Sequence, residues 1–409
     1  MSTSLTQPTV AALAANEPAW LAAQRQTAWQ TYERIPLPSR RDVEWQRFDL
    51  RALKLDKLHA GNGAPSVAIS SPGLPPDIAA KGVIFCALPT AIAQHGDLVR
   101  RYFGASIPAD EPTKFAALHN AFWNTGVFLH VPSGVRLTLP LEIPYLFSGQ
   151  NAAGFPRTLI VVESGAEATV VQKFTGGPDA AADAPSVHAS ATEVFVKEGG
   201  RLHYVSFQNF SPNVFDFTLK RAHVERDAEI DWVVGMFGGS FARYDIQCIM
   251  EGEGGTSFMY GVGVGDGRQQ IGQFTRQHHR VGNTTSDLLF KNVLRDRAAS
   301  NYAGIIKVER NADGTNAYQS NRNLVLDKTV QCDTRPILEI ESNKLRCTHG
   351  ATVGRLDENQ LYYLRTRGLD ETTARNVLIE AFLDPVLARI QVESLRNEFA
   401  ELIHRKVVR

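Results

Sequence analysis

The middle of the chain, from about residue 114 to residue 352, consists of short runs in which apolar and polar side chains alternate. A period of two, filled by Val, Ile, Thr, Phe and Tyr, is typical of β-strands. A turn pattern recurs between the runs, and the first five of its copies lie roughly 30 residues apart. The copies, the last two weaker, are Val131-Pro-Ser-Gly-Val135, Val162-Glu-Ser-Gly-Ala166, Val196-Lys-Glu-Gly-Gly200, Val224-Glu-Arg-Asp-Ala228, Met250-Glu-Gly-Glu-Gly254 and Val308-Glu-Arg-Asn-Ala312.

A repeat of this size favours a stacked architecture. We predict a mainly β fold, a β-solenoid in which the strands of each coil pair with those of the next. A β-sandwich with long hairpins is the alternative. No helical pattern of ten or more residues lies between the copies, which disfavours a doubly wound α/β sheet.

Residues 1–112, before this repeat, form a mixed helical region. A helix is predicted over Pro18–Arg34, and the prolines at 36 and 38 end it because proline cannot donate the next backbone hydrogen bond. The Ala-rich stretch Ala11–Ala15 is expected to be disordered. The Gly-, Pro- and Ser-rich stretch 61–76 is expected to be a loop, followed by a short strand over Gly82–Ala87.

The repeat core is assigned to residues 113–355, and helical patterns follow over residues 356–409. Asp357 and Gln360 have the spacing of a capping box, Gly368 ends the first helix, and Asp370 caps the next. Pro385 is expected to kink or break that second helix. Amphipathic helices at the end of a solenoid would cap its core, dock a partner, or do both with different faces.

The composition argues against several classes of partner. The 409 residues include 43 Lys+Arg and 43 Asp+Glu, so the formal net charge is zero. Nucleic-acid binders normally carry a basic excess, and electrostatic membrane binding needs a basic cluster. No apolar run is long enough for a membrane span, and the first 16 residues lack the basic flank and apolar core of a signal peptide. We expect a cytoplasmic protein with no nucleic-acid or membrane partner.

Common catalytic motifs are missing from the sequence. It contains no G-x-x-x-x-G-K-[ST] phosphate loop, no G-x-S-x-G elbow and no H-E-x-x-H helix, so the chain is not expected to hydrolyse ATP. A carbohydrate-active β-helix enzyme is an alternative, and its chemistry needs clustered carboxylates. The nearest candidates are Asp245, Glu251, Glu253 and Asp266, which have the sequence context of turns and surfaces.

Cysteine and histidine provide the candidate chemistry. The cysteines are Cys86, Cys248, Cys332 and Cys347, and no pair has C-x-x-C spacing. In a strand, Cys347 and His349 would lie on one face, and a thiolate with an imidazole suits iron–sulfur, zinc or copper. Two ligands do not close a site, so a structural cysteine beside a hydrogen-bonded histidine is the competing interpretation. Cys332 lies one predicted strand earlier and could approach the same face.

Two further groups of residues are given structural roles. Neighbouring strand residues point to opposite faces, so His278 and His279 are not expected to bind one metal, and a solvated turn is predicted there. Cys86 and Cys248 are expected to be buried as small hydrophobic side chains.

The last quarter of the chain resembles the SufB/SufD family of iron–sulfur cluster assembly scaffolds. The segment Cys347-Thr-His-Gly-Ala-Thr-Val-Gly354 is the core of the resemblance, and further matching segments are Ser320–Leu326, Thr334–Ile340, Asp357–Gly368 and Ala374–Phe382. Nearer the N-terminus, the matching residues are Pro36-Leu-Pro38, Glu44-Trp45, Asp49-Leu50, Asn120-Ala-Phe122 and Val131-Pro-Ser-Gly134. The resemblance therefore covers most of the chain.

Within this family the sequence resembles the SufD branch more than the SufB branch. It is shorter than a typical SufB and lacks the cysteine cluster often found near the SufB N-terminus. Gly350 stands where SufB-like sequences have glutamate, and Val330 stands near where SufB has a cysteine, two residues before Cys332.

The resemblance implies a right-handed parallel β-helix with helical regions at both ends, acting as a non-catalytic subunit. Its implied partners are a SufB-like subunit, which pairs with the β-helix, and the ATPase SufC, which binds the C-terminal helices. The candidate SufC-binding residues are Leu361, Tyr362, Leu364, Val377, Leu378 and Phe382.

The resemblance also implies a site. It places His349 at the SufB interface, as an imidazole ligand or proton donor beside a SufB thiolate, with Cys347 and Cys332 as companions. A transient iron–sulfur cluster would be shared with SufB, and no stable cofactor is expected in the isolated chain. A reduced flavin is associated with the family's complex, although no flavin motif occurs here. A homodimer in isolation, or a self-sufficient homodimeric cluster carrier, is the further alternative.

Overall fold

A computed structural model, which describes residues 4–59, 67–69, 74–177 and 184–407, shows a chain wound into two stacked β-sheets. The strands are β1 (Val67–Ile69), β2 (Ile84–Ala87), β3 (Thr125–Val131), β4 (Leu141–Phe147), β5 (Ala153–Gly154), β6 (Pro156–Val162), β7 (Glu167–Gly176), β8 (Ser186–Val196), β9 (Arg201–Asn209), β10 (Val214–Val224), β11 (Glu229–Met236), β12 (Phe241–Met250), β13 (Thr256–Gly265), β14 (Gln270–His279), β15 (Thr285–Leu294), β16 (Ala299–Val308), β17 (Asn316–Val325), β18 (Gln331–Ile340) and β19 (Arg346–Gly354).

From β6 onward, successive strands alternate between the two sheets. The nine-stranded sheet has the order β1-β4-β7-β9-β11-β13-β15-β17-β19, and the ten-stranded sheet runs from β18 back through the even-numbered strands to β6, β3 and β2. Pairing is parallel except at the start, where β1 and β2 are antiparallel to β4 and β3. The predicted β-solenoid is therefore confirmed, and the β-sandwich alternative is wrong.

The recurring turn pattern forms the corners where the chain passes from the ten-stranded to the nine-stranded sheet. Seven of the eight corners contain one residue with a left-handed φ, a conformation that favours Gly, Asn and Asp. The N–H of that residue donates to the corner of the next coil: Gly134 to Ser164 O, Gly165 to Glu198 O, Gly199 to Arg226 O, Asp227 to Glu253 O, Gly254 to Asn283 O, Asn283 to Asp313 O and Gly314 to Lys344 O. These ladders fix the coil spacing. The sequence pattern missed the corners after His279 and Ile340.

Side chains that point between the two sheets form the main hydrophobic core. Its largest buried members include Trp232, Tyr145, Tyr204, Tyr244 and Tyr302. Each coil covers the apolar side chains of its neighbours, and the removal of that surface from water is the main stabilising contribution.

The interior also contains a buried polar network around Lys220, which is completely buried. Its Nζ donates to Tyr204 Oη at 2.7 Å and to Gln172 Oε1 at 3.2 Å. On the same strand, Asp216 Oδ1 lies 2.8 Å from His188 Nδ1 in the preceding coil. Burial lowers the pKa of Lys220 to about 7, an effect that Asp216 partly opposes.

Helices cover both outer faces of the solenoid. The N-terminal region packs on the ten-stranded sheet and the C-terminal region on the nine-stranded sheet, which explains why strands such as β8 are buried on both faces. The helices are α1 (Gln7–Ala14), α2 (Ala19–Arg34), α3 (Pro76–Ala79), α4 (Leu88–Gln94), α5 (Gly96–Tyr102), α6 (Lys114–Phe122), α7 (Glu358–Thr366), α8 (Glu371–Leu387) and α9 (Glu393–Val407), with 3-10 turns over Val43–Trp45 and Leu55–Lys57.

Several local predictions can be compared with these bounds. The helix predicted over Pro18–Arg34 is confirmed as α2, and Asp357 and Asp370 accept the predicted N-cap hydrogen bonds. The stretch Ala11–Ala15 is not disordered, because α1 runs through it to residue 14 and buries Val10 against the N-terminal core. Strand β1 lies inside the predicted 61–76 loop, of which residues 61–66 and 70–73 are outside the described residues.

The C-terminal helices differ from the prediction in two respects. Pro385 lies within α8, which continues to Leu387, so the helix is not broken there; the Lys291 ammonium donates to the nearby carbonyl of Phe382. The helices also lie along the outer face of the nine-stranded sheet, where Phe399 packs on Phe207, instead of capping the end of the solenoid.

A buried ion pair joins the N-terminal region to the ten-stranded sheet. Glu193 on β8 accepts hydrogen bonds from Arg157 Nε at 3.1 Å and from three backbone amides, those of Gly104, Ser106 and Ile107, at 3.0–3.1 Å. The Arg157 and Glu193 side chains are 1% and 0% exposed. Arg157 also donates to Asn120 Oδ1 on α6 at 2.8 Å, so one charged pair holds a loop and a helix on the sheet.

Candidate functional site: the open end of the solenoid

The two ends of the solenoid are built differently. At the first end, the outermost strands β1 and β2 are only three and four residues long and run antiparallel to their neighbours. At the other end, β18 and β19 each pair with only one strand among the described residues, so one backbone edge of each is unpaired. We call the final coil, Gln331–Gly354, the open end. Unpaired strand edges are templates for pairing with another chain.

The open end exposes side chains that would be interior in any other coil. Cys347 and His349 follow Ala317 and Gln319 in register, and those two residues of β17 are buried. His349 is exposed, whereas Cys347 is half-buried against the cluster that contains Ile306. The strand therefore places the thiol and the imidazole on one face, as the i, i+2 spacing predicts.

Cys332 lies on β18, the other strand of the final coil, and its position relative to His349 follows from the coil before. In that preceding coil, Gln319 Nε2 on β17 donates to Gly304 O on β16 at 3.1 Å, so these two positions face each other across the coil. Their register partners in the final coil are His349 and Pro336. Cys332 precedes Pro336 by four residues, which corresponds to roughly 13 Å along a strand. The structure thus brings Cys347 and His349 together and leaves Cys332 apart from them.

Both thiols of the open end are poor ligands in the isolated chain. Burial raises the pKa of Cys347 to about 11, and burial together with the neighbouring Asp333 raises the pKa of Cys332 to about 12. The thiolate, not the thiol, binds metal and acts as a nucleophile. A metal ion or an added positive charge is therefore needed before either sulfur becomes a ligand.

We expect Cys347 in the folded, isolated chain to react slowly with iodoacetamide at pH 8. A pKa about two units above the ordinary value lowers the thiolate fraction, and thus the rate, on the order of 100-fold. Mass spectrometry of the labelled peptide measures the rate, with the urea-unfolded protein as the control. Equal rates in the folded and unfolded states contradict the expected burial of the thiol.

Large apolar side chains surround these groups. Ile337, Leu338 and Ile340 on β18 and Val353 on β19 are 38–48% exposed. Apolar exposure beside two unpaired strand edges is typical of a protein–protein interface. A Cβ added at Gly350 would lie 3.6 Å from Tyr318 Oη and 3.9 Å from Ser320 Oγ, which is ordinary contact, so a Cβ is tolerated at this position.

The six residues predicted for the C-terminal docking region are divided between the core and the surface. Leu361 is buried, and Leu364, Leu378 and Phe382 are half-buried. Tyr362 on α7 is 71% exposed and Val377 on α8 is 40% exposed. The neighbouring Tyr363, which was not predicted, is 56% exposed.

The other candidate groups lie away from the open end. Among the described residues no group of three His, Cys, Asp or Glu side chains is arranged to hold a metal ion. His278 and His279 do not form a solvated turn, because they end β14: His279 is fully buried between Thr284 Oγ1 and Ser286 Oγ, and His278 lies 2.8 Å from Glu309 Oε1. Cys248 is completely buried, as predicted, and Cys86 is half-buried.

The acidic residues considered for carbohydrate chemistry are dispersed and mostly paired. Asp245 is paired with Arg221, Glu251 with Arg280 and His223, and Asp266 with Lys406, while Glu253 lies at an exposed corner. A glycosidase needs two carboxylates facing one bond. The carbohydrate-enzyme alternative is therefore not supported.

A groove of about 400 Å³ lies between Pro36, Trp45 and the outer face of the ten-stranded sheet. Two of its charged groups are already partnered, because Arg243 donates to Glu44 Oε2 at 2.8 Å and Lys114 donates to Tyr32 O at 2.6 Å. We assign no ligand to it. None of the helices in the described ranges is long and apolar enough to cross a membrane.

These features define a class of protein: a parallel β-solenoid scaffold whose final coil presents an imidazole, a thiol and two free strand edges. Comparison with known proteins identifies the family. The family model described as "SUF system FeS cluster assembly, SufBD core domain" matches residues 145–382, and "SufBD protein N-terminal region" matches residues 73–143. The chain belongs to the SufBD family of iron–sulfur cluster assembly proteins.

Named relatives agree with this family. The iron–sulfur cluster assembly protein SufB of Bacillus subtilis is 29% identical over 317 residues, which cover 78% of this chain and 67% of that protein. An iron–sulfur cluster assembly SufBD family protein of Staphylococcus epidermidis is 29% identical over 313 residues, and one of Staphylococcus aureus is 28% identical over the same length; each alignment covers 76% of this chain and 66% of the relative. The chain thus spans about two thirds of these relatives.

Proposed function

We propose that this chain is a SufD-like, non-catalytic subunit of a cytosolic SufB–SufC–SufD scaffold for iron–sulfur cluster assembly. The observation that carries the proposal is the open end, where interior side chains and two strand edges remain uncovered in the isolated chain. A SufB-like solenoid can add its own edge strands there and bury the exposed apolar side chains.

The assignment to the SufD branch depends on the open end itself. Gly350 stands beside His349, where SufB-like sequences have glutamate, and a Cβ at this position would make only ordinary contacts. The glycine is therefore not required by packing. An interface that needs one acidic residue would obtain it from SufB and not from this chain.

His349 is the group that we assign to the assembly site. An exposed imidazole beside the interface can bind iron of a nascent cluster or give a proton to a SufB thiolate. Cys347 is its companion on the same face. Cys332, at the other end of the coil, has a role only if the cluster or a sulfur donor reaches that side.

The C-terminal helices are the proposed docking surface for the ATPase SufC. Tyr362, Tyr363 and Val377 present large apolar side chains to solvent, while the opposite side of these helices is anchored on the nine-stranded sheet. Exposed tyrosines are frequent anchors at protein interfaces. ATP-driven movement of SufC would reach the open end through this rigid attachment.

The proposal is tested by co-expression with a SufB-like chain and a SufC-like ATPase. We expect a stable complex, and we expect His349→Ala to lose cluster assembly while it keeps the complex and the melting temperature. His404→Ala, which alters an exposed histidine on α9, is the matched control. Normal cluster formation by His349→Ala contradicts the role of His349.

Native mass spectrometry distinguishes a SufD-like subunit from the remaining alternative, a homodimeric cluster carrier. A homodimeric cluster carrier would form a stable dimer and retain a reconstituted cluster without SufB. Failure to bind SufB, together with cluster retention by the isolated chain, contradicts the SufD-like assignment.

A further inference from the structure

Histidines in the strands follow a stacking rule. Five of them lie 2.8–3.5 Å from a carboxylate one coil further along the solenoid: His130 with Glu163, His188 with Asp216, His203 with Asp231, His223 with Glu251 and His278 with Glu309. His349 belongs to the final coil, so the described chain has no following coil to supply its partner. A partner from an adjacent coil of this chain therefore has to come from the coil before it.

Gln319 is the residue of the preceding coil that lies in register with His349. Its side chain is fully buried, and its Nε2 donates to Gly304 O at 3.1 Å, which fixes the orientation of the amide. Its Oε1 is buried and accepts no hydrogen bond from the described residues. A buried amide oxygen without a donor is unfavourable, so an N–H group that comes within reach is readily bound.

We propose that Gln319 is a positioning residue for His349: its Oε1 accepts a hydrogen bond from one ring N–H of His349 when the open end is covered. In the uncovered chain the imidazole is exposed and water can serve as its partner. Covering the open end removes that water, and Gln319 is the unsatisfied acceptor one strand spacing below. The inference deepens the proposed function, on which it depends for the place where His349 acts.

The consequence is a defined tautomer. When one ring nitrogen donates to Gln319, the other carries the lone pair and faces the interface. That nitrogen is then available to bind iron or to accept and return a proton. Histidines that bind metals usually donate their second N–H to an oxygen in this way, and loss of that oxygen typically weakens function 10–100-fold.

The test uses the full chain with ¹⁵N- and ¹³C-labelled histidine, paired with an unlabelled SufB-like subunit. NMR of the ring nitrogens reports the tautomer of His349, which is assigned with His349→Ala. We expect one tautomer in the wild-type complex, both tautomers in Gln319→Met, and a loss of cluster assembly on the order of 10-fold in that variant with the complex intact. Gln277→Met is the matched control, because Gln277 is an equally buried interior glutamine on β14 whose amide has no hydrogen-bond partner among the described residues.

A second readout separates this inference from the proposed function. Size-exclusion chromatography measures complex formation with the SufB-like subunit for the wild type and for Gln319→Met. Absence of a complex with the wild type contradicts the proposed function. An intact complex in which Gln319→Met keeps the wild-type tautomer shows that the hydrogen bond is not made and overturns the inference. If Gln319→Met does not fold, Gln319→Asn, which keeps an amide but shortens it, replaces it.

Discussion

Replacing Arg157 with alanine is expected to lower the free energy of unfolding by about 3–5 kcal/mol, because it leaves the buried carboxylate of Glu193 without its counter-charge. Glu193 is 0% exposed and retains only the three backbone amides of the 104–107 loop as donors. The Arg157 guanidinium also anchors α6 through Asn120. Urea unfolding followed by circular dichroism measures the effect.

Arg226→Ala is the control for this variant. Arg226 pairs with Glu198, but the two side chains are 61% and 51% exposed, and such surface pairs contribute only about 0–1 kcal/mol. The double variant Arg157→Met/Glu193→Leu is expected to recover part of the loss, since it removes both buried charges. An effect of Arg157→Ala no larger than that of the control shows that the pair does not hold the N-terminal region on the sheet.

The second large effect concerns the pH dependence caused by Lys220. Its pKa in the folded chain is about 7, below the ordinary value of 10.5, so between these values the unfolded state holds a proton that the folded state has released. Stability therefore rises with pH in this window, by up to about 1.4 kcal/mol per pH unit, and the Lys220 contribution is constant below pH 7. Lys220→Met removes this slope.

Between pH 7 and pH 9 we expect the free energy of unfolding of the wild type to rise by about 2–3 kcal/mol relative to that of Lys220→Met. Urea unfolding at several pH values measures the free energy of unfolding of both proteins. In the difference between them, the contributions of titratable groups common to both cancel. Lys197→Met is the control. Glu225 pairs with Lys197 and helps to raise its pKa, so the protonation of Lys197 affects stability only above pH 10. The difference in free energy of unfolding between the wild type and Lys197→Met is therefore expected to stay constant between pH 7 and pH 9. Parallel curves for the wild type and Lys220→Met contradict a lowered pKa for Lys220.

Much of the architecture could be predicted because it depends on local, repeating signals. The period-two alternation predicts strands, and the turn pattern predicts the corners, since most corners contain a left-handed Gly, Asn or Asp. The corner at Asn283 was missed because the strand before it ends in His279, a polar residue that the structure buries between two hydroxyls. A buried polar residue looks like a surface residue when only its type is known.

The helices before and after the solenoid also include some features that local sequence signals predict and others that they do not. Caps at Asp357 and Asp370 could be predicted from spacing, because they depend on residues three positions apart. The helix over Gln7–Ala14 and the continuity of α8 through Pro385 could not, because tertiary packing outweighs weak or unfavourable local propensity.

The sequence by itself determined the β-solenoid, the helical regions before and after it in the chain, the family motifs, and the common face of Cys347 and His349. Each of these follows from side-chain periodicity or from residues close together in the chain. Only the tertiary structure decided that Cys332 lies far along the coil from His349, that Gln319 lies below His349, and that Lys220 and the Arg157–Glu193 pair are buried. Those relations depend on strand register between coils about 30 residues apart, and no local pattern encodes that register.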